Sequence, residues 1–573
     1  MATFRRASCP HYIILEYIVR TDTTNERELK TMKSPNTHSF SRVPHADIPR
    51  SKFRTQFGYK TTFNSGALVP FYADEVLPGD TFNFRLTSFC RLATPVVPFM
   101  DNVYLDFHFW YVPNRLLWKN WVRMMGEQDK PGDSIDYLVP IIEAPASGVA
   151  VESISDYLGI PPGVPGLQFS ALWHRAYNKI WNLWYRDENL QDPVPENDDD
   201  GPDDLADYKL LPRGKRKDYF AGAAPFPQKG PGVSIPLGDR APVYGDGNAL
   251  RLHGMDTYSA HGAQLQSGSA SSPHPLQVPL STLRANEFVG VVGPNQVNPE
   301  VNITSGLYAD LSGATAATIN SLRQAFQLQR LLERDARGGT RYTELLVSHF
   351  GVTSPDSRLQ RPEYLGGGSA PVQIHSVTQT SATGSGSTPQ GNLAAVGVSS
   401  ARVGFKKSFV EHGVVLGLMS IRVDQNYQYG LQRMFSRRGR YDFYWPVLAH
   451  LGEQAILNKE IYAQGPAVTD DDNNIIDDQV FGYQERWAEY RYGVSKITGK
   501  LRSGVEGSLD VWHLADAYDE LPKLNSAFIE SRPPISRVLA VQDEPEFIFD
   551  SVCVCDKIRP MPLYSVPGLI DHF

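Results

Sequence analysis

Apolar and polar positions alternate most strongly between Gly79 and Pro113. Phe82, Phe84 and Leu86 alternate with Asn83, Arg85 and Thr87, the period of two that turns one face to a core and the other to solvent or a neighbour. Further on, Val103, Leu105, Phe107, Phe109 and Tyr111 share a face, with Tyr104, Asp106, His108 and Trp110 opposite them. That opposite face is too aromatic to stand in water, so a further layer of protein is expected over it. The stretch reads as a hairpin of two long strands joined by a tight Pro-rich connection, within a large β sandwich or jelly roll. Residues 413–423 are apolar on both faces and predict a central strand; 370–381 alternate, and 546–558 predict a long closing strand. The strands at 413–423 and 546–558 are the candidates for the second layer.

The period changes to that of a helix after Pro113. Asn114 suits an N-cap, Trp118, Trp121, Val122 and Met125 fall on one face, and Gly126 is a stop. A second helix is expected over 170–186, capped by Ser170, with Trp173, Tyr177, Ile180, Trp181 and Trp184 in one stripe. Aromatic stripes of this kind are packing surfaces, so these indoles are expected in the core or at a contact between subunits. A third helix is expected from about Thr318, with Ile319, Leu322 and Phe326 on one face and Gly338 as its stop. Residues 230–302 are rich in Gly, Ser, Pro and Ala without sustained periodicity and predict a large exposed insertion. The chain then divides into a doubtful N-terminal extension (1–31), an extended arm (32–58), a first part of the sandwich with helical and acidic insertions (59–229), the exposed insertion (230–302), and the remainder with a Pro-rich tail (303–573). The composition shifts at Met32, and one explanation is that Met32 is the true start.

Composition narrows the classes. Across 573 residues, 47 Gly and 42 Pro point to many turns and long irregular connections. A net charge of −8 is mild for this length and argues against generic wrapping of nucleic acid, leaving room for a local basic patch. The four cysteines are expected as free thiols, because Cys553 and Cys555 sit two apart on one strand face, a poor geometry for a bridge. That fits a reducing compartment and an assembly without covalent links. Runs of about 18 apolar residues are lacking, and the N-terminal YIILEYIV is broken by Glu16, so no membrane span is expected.

Candidate chemistry is sparse. Between Asp187 and Asp207 ten acidic groups occur without a basic one, and Glu196, Asp198, Asp200 and Asp207 partly mimic a calcium loop. Pro202 follows the turn glycine and Asp replaces the final Glu, so a solvated acidic loop is the favoured reading and no metal or other cofactor is expected. The basic run that follows, Arg213, Lys215, Arg216 and Lys217 with Tyr219, suits phosphate pairing and base stacking on single-stranded nucleic acid; it equally suits balancing the acidic loop. No nucleophile elbow, zinc helix or CxxC pair occurs. Glu485 and Glu489 are conceivable glycosidase carboxylates, but nothing in the pattern positions them. A β-sandwich carbohydrate-binding protein or glycosidase is the alternative reading.

Long blocks resemble the major capsid proteins of microviruses, in particular the gokushovirus group: SFSRVPHADIPRS, GYKTTFNSGALVPFYADEVLPGDTFNFRL, RLATPVVPFMDNVYLDFHFWYVPNRLLWKNW, YKLLPRGKRKDYFAGAAPFPQKG, EYRYGVSKITGKLR and the terminal PLYSVPGLIDHF. The resemblance implies a mainly β, eight-stranded antiparallel viral jelly roll with long loop and helical insertions, and a structural, non-enzymatic role. It also implies a T=1 icosahedral virion, assembled in the host cytoplasm from copies of the chain around packaged single-stranded DNA. Further implied partners are small DNA-binding and minor virion proteins and a host-cell surface receptor, which residues 230–302 would meet from threefold protrusions.

Overall fold

A computed structural model describes residues 49–233, 243–245, 250–254, 264–265, 301–303, 307–309, 319–339, 341–352, 360–381 and 390–564. The expectations for residues 1–31, most of the arm, most of the 230–302 insertion, the Gly-Ser-Thr loop and the end of the tail lie outside these residues.

The alternating segments form long strands: β1 (Ser51–Phe63), β2 (Val69–Val76), β3 (Thr81–Leu92), β4 (Val103–Pro113), β5 (Glu363–Pro371), β6 (Gln373–Thr378), β7 (Leu393–Ser408), β8 (Gly413–Val423) and β9 (Phe547–Arg559). They make two antiparallel sheets, ordered β1-β9-β3-β7-β6 and β5-β4-β8-β2. Only Val372 separates β5 from β6, so one run of chain passes from the four-stranded sheet to the five-stranded one. The two facing antiparallel sheets are those of a jelly roll.

Between the sheets lie the apolar faces read from the sequence: Phe82, Phe84, Leu86, Cys90 and Leu92 of β3 against Leu105, Phe107 and Phe109 of β4. Phe84 packs on Phe109 with ring centroids 5.0 Å apart, and each such burial contributes roughly 1.5–3 kcal/mol. β8 is the central strand expected, with Val415, Met419 and Ile421 in this core and Val414, Leu416 and Leu418 in a second one.

The hairpin expected at Gly79–Pro113 does not form. β3 and β4 lie in facing sheets, and the segment 93–102 exceeds the loop of about two to five residues that closes a hairpin. Its backbone bonds go elsewhere, with Ala93 N donating to Glu546 O and Val96 N to Val538 O. Of the second-layer candidates, residues 547–559 meet β4 across the inner core, with Phe549 against Phe107, and 413–423 lie beside it in the same sheet, so neither covers its Trp110 face. Ser51–Gly58, read as the end of the arm, is part of β1 and pairs in register with β9.

The aromatic outer face of β4 is covered, as its composition requires. The chain between Asn114 and Pro212 folds back over the four-stranded sheet, led by α1 (Leu172–Ile180), which continues into a π-helical turn at Trp181–Tyr185. Tyr177 donates its hydroxyl to Leu68 O and accepts from Leu211 N. Trp110 donates its ring N–H to Tyr185 Oη at 3.0 Å. The helix starts after Ala171, since Ser170 ends a short strand and only its Oγ reaches Leu172 N. The helix expected after Pro113 is reduced to a 3₁₀ turn at Asn114–Leu116 and one α turn at Trp121–Met124. The Trp118 side chain is fully buried and turns inward to the second core; Gly126, at φ 107°, ends the segment as expected.

Arg175 locks this layer. Its guanidinium makes a bidentate pair with Asp203 (2.8 and 2.5 Å) and donates to the carbonyls of Leu117 and Asp199, so one buried cation ties the helix to two loops. Burial alone would raise the Asp203 carboxyl, yet the bonds from Arg175 and Tyr208 hold it below the usual range. Nearby, His174 is buried with Nε2 2.8 Å from Ser155 Oγ and no partner at Nδ1. Burial pushes its pKa down to about 4.

The described cysteines, Cys90, Cys553 and Cys555, are free and buried. None of the described helices is long and apolar enough to cross a membrane.

Arg175→Met leaves Asp203 buried without its counter-ion and is expected to lower stability by about 3–5 kcal/mol, measured by urea unfolding of the unassembled protein. His174 binds a proton near pH 6.5 when unfolded and only near pH 4 when folded. Its contribution to stability is therefore complete above pH 6.5 and is lost as the pH falls toward 4, roughly 3 kcal/mol. His174→Gln is expected to flatten the unfolding free energy across that window; an unchanged slope contradicts the assignment.

Candidate assembly surface

The residues singled out in the sequence fall mostly inside the protein. Trp118, Trp121 and Trp181 are buried in the second core and Trp173 packs against it, while Trp184 is partly exposed and donates to Pro362 O at 3.0 Å. The acidic residues are engaged by neighbouring donors. Glu196 meets Lys179 and Asn182, Asp198 meets Lys119, Asp200 accepts from Asn120 and Trp118, and Asp207 accepts from Asn197. Those bonds from Asn120 and Trp118 hold the Asp200 carboxyl below its usual range. Among the described residues no group of three or more His, Cys, Asp or Glu is placed to hold a metal ion.

Most of the basic run is likewise engaged within the chain. Arg213 lies over the Tyr185 ring at 4.4 Å, and burial pushes its pKa down to about 10. Lys215 pairs with Asp516 at 2.7 Å, Arg216 pairs with Asp424 at 3.0 Å over the Tyr104 ring, and Tyr219 donates to Glu460 at 3.0 Å. Lys217 alone keeps a largely exposed side chain, paired with Asp187 of the acidic loop. Glu489 is held by Arg437 and Gln454, and Glu485 by Arg491 and Arg337.

The surface that stands out lies elsewhere, at Met434–Leu451. Phe435 is 67% exposed, Tyr441 68% and Val447 92%, and Met434, Phe443, Tyr444, Trp445 and Leu451 are exposed with them. Three 3₁₀ turns, Arg433–Phe435, Arg440–Asp442 and Pro446–Leu448, give the strip its shape. It is pinned from beneath. Arg433 binds Glu460 at 2.9 Å, Arg437 binds Glu489 at 2.9 Å, Trp487 donates to Leu448 O at 3.0 Å, and the Asp442 carboxylate accepts from the Arg438 and Gly439 N–H groups. Arg440 lies over the Trp445 ring at 5.1 Å.

The strip is thus a fixed apolar surface rather than a collapsed loop. It carries Phe, Tyr, Trp, Met and Arg but no Lys or Glu, the composition of the buried centre of a protein–protein contact. Sequence periodicity passes over it because it has no regular element; the residue types alone were the available signal.

Known proteins fit a surface built for association. The family model for Capsid protein (F protein) matches residues 41–569. Capsid protein VP1 of Bdellovibrio phage phiMH2K is 48% identical over 94% of this chain and 99% of its own length. Capsid protein VP1 of Chlamydia phage 1 is 44% identical over 92% and 97%, and that of Spiroplasma virus 4 is 36% identical over 93% and 97%. With a match along nearly the whole of each relative, and with the antiparallel jelly roll described above, the chain belongs to the phage Capsid protein (F protein) family, the capsid proteins of microvirus virions.

Proposed function

We propose that copies of this chain assemble into a small T=1 icosahedral shell around a single-stranded DNA genome, with residues 230–302 turned outward for attachment to a host cell. The observation that supports self-assembly is the strip at Met434–Leu451, pinned from beneath by the protomer and left exposed by its described residues. Soluble monomers rarely keep so many large apolar side chains together in water. A second copy is the partner that a coat protein always has at hand, and a closed symmetric array buries such a strip on every subunit at once. Long insertions on a rigid scaffold are where recognition usually resides, and the composition of residues 230–302 supports that role. Small DNA-binding and minor virion proteins complete the expected particle, which would form in the host cytoplasm.

Negative-stain microscopy of the purified chain is expected to show uniform small particles. Val447→Asp and Phe435→Asp each put a charge into the proposed contact and are expected to cost about 2 kcal/mol or more per contact. Folded protomers should then remain unassembled at concentrations where the parent forms shells. Shell formation at the parent's threshold, in both variants, contradicts the role of the strip. Deleting residues 237–300 is expected to leave particles that no longer attach to the host, and unchanged attachment refutes the receptor role.

A further inference from the structure

Two helices after the large insertion, α2 (Ile319–Gly338) and α3 (Tyr342–Phe350), form a hairpin in which none of the described side chains is buried. His349 closes it, with Nε2 2.6 Å from the Asp335 carboxylate. Polar contacts fasten its turn end to the protomer: Arg337 pairs with Glu453, and Arg341 binds Glu188 at 2.8 Å and Asn182 O at 2.7 Å. Gly452, next to the last residue of the aromatic strip, lies against the Glu333 carboxylate, so the hairpin continues the surface of the strip. At about 100° per residue, Arg323, Arg330 and Arg334 fall within about 40° of one another and make a stripe about 16 Å long. All three are exposed and have no carboxylate partner among the described residues. Phe326, Leu331 and Phe350 are exposed on the same hairpin.

Arg337 fixes the hairpin at one end of a two-stranded ribbon, Glu453–Leu457 against Val480–Glu485, whose register runs from Glu453 opposite Glu485 to Leu457 opposite Val480. The other end of the ribbon, about 14 Å away, leads into an acidic turn at residues 468–480. Asn458 N donates to Gln479 O and Lys459 pairs with Asp478, which holds the turn at that end. The Asp470 carboxylate accepts from the N–H groups of Asp472 and Asn474 and from Gln479 at 2.7 Å, which fixes the shape of the tip. Asp471 and Asp472 stand exposed on it and have no cationic partner among the described residues. Val468 and Val480 are exposed beside them. One ribbon thus carries arginines among exposed Phe and Leu at one end, and aspartates flanked by exposed Val at the other.

We infer that the α2–α3 hairpin of one copy receives the acidic turn at 468–480 of the next, in a head-to-tail contact repeated around a symmetry axis. The two surfaces are complementary in both charge and apolar character, and each is left open by the described residues of its own protomer. Opposite charge orients the approach and fixes which end meets which, while Phe326 and Leu331 against Val468 and Val480 supply the apolar burial. Because the two ends differ, each contact leaves one end of each kind free until a ring closes. Residues 319–350 contain Arg, Leu, Phe and Tyr but no Lys, the composition of a protein contact. The inference rests on the reading that copies of the chain associate, and it adds which segments of two copies meet.

Charge reversal in the full chain tests it, with the concentration threshold for assembly read by sedimentation velocity and negative-stain microscopy. Arg330→Glu with Arg334→Glu, and separately Asp471→Lys with Asp472→Lys, change exposed side chains and should leave the urea midpoint of the protomer unchanged. Each pair sets like charges against each other in the contact and is expected to raise the threshold at least about 10-fold. All four substitutions together restore opposite charges and are expected to return the threshold to within about 3-fold of the parent's. Parent-like thresholds in both double variants overturn the inference and leave the shell reading standing. A quadruple variant no better than the worse double variant overturns it too, as does an arginine variant that assembles normally but packages less DNA. If the parent forms no shells but makes small rings or chains that follow the charge reversals, the shell reading fails and the contact stands. A parent that stays monomeric overturns both.

Discussion

A β-sheet has two faces, and a sandwich can hide only one face of each sheet. That constraint governs this protein. The inner faces meet through Phe82, Phe84, Phe107 and Phe109, and the two outer faces must each be dealt with separately. The chain folds its own 114–212 segment over one, because Trp110, Val112, Leu416 and Leu418 are too apolar for water. The other carries Arg, Lys and Thr among its alternate positions and is left open by the described residues. Both solutions follow from the side chains at odd and even positions of the same strands.

Covering one face requires a layer that cannot slide. Arg175 provides this with a single buried guanidinium that holds Asp203, Leu117 and Asp199 together. Tyr177 and Trp181 anchor the same helix to the carbonyls of Leu68 and Pro212. The same logic recurs at Met434–Leu451, where Arg433 and Arg437 are anchored below and the aromatic residues are left above. In one place the aromatic surface is covered from within the chain, and in the other the described residues leave it exposed.

Strand faces were legible because alternation is a local property. The apolar set of β3 and β4, the two-sided burial of β8 and the requirement for cover over Trp110 all follow from residues within about ten positions of one another. Partner choice between strands was not legible. β3 pairs with β7 and β9, hundreds of residues away, and nothing local distinguishes that from a hairpin with β4. The basic run at 213–217 misleads for a related reason, since sequence records charge but not the distant Asp516, Asp424 and Tyr185 that engage it. The cationic sheet face is hidden in the opposite way: Arg85, Arg91, Arg402 and Lys406 are separated along the chain and become one surface only through register.

On the proposed reading, a second copy of the chain covers the aromatic strip at Met434–Leu451, which the described residues leave exposed. A cryo-electron microscopy reconstruction of assembled particles tests this most directly. Met434–Leu451 is predicted to be buried between subunits. A strip exposed on the particle surface would contradict that assignment.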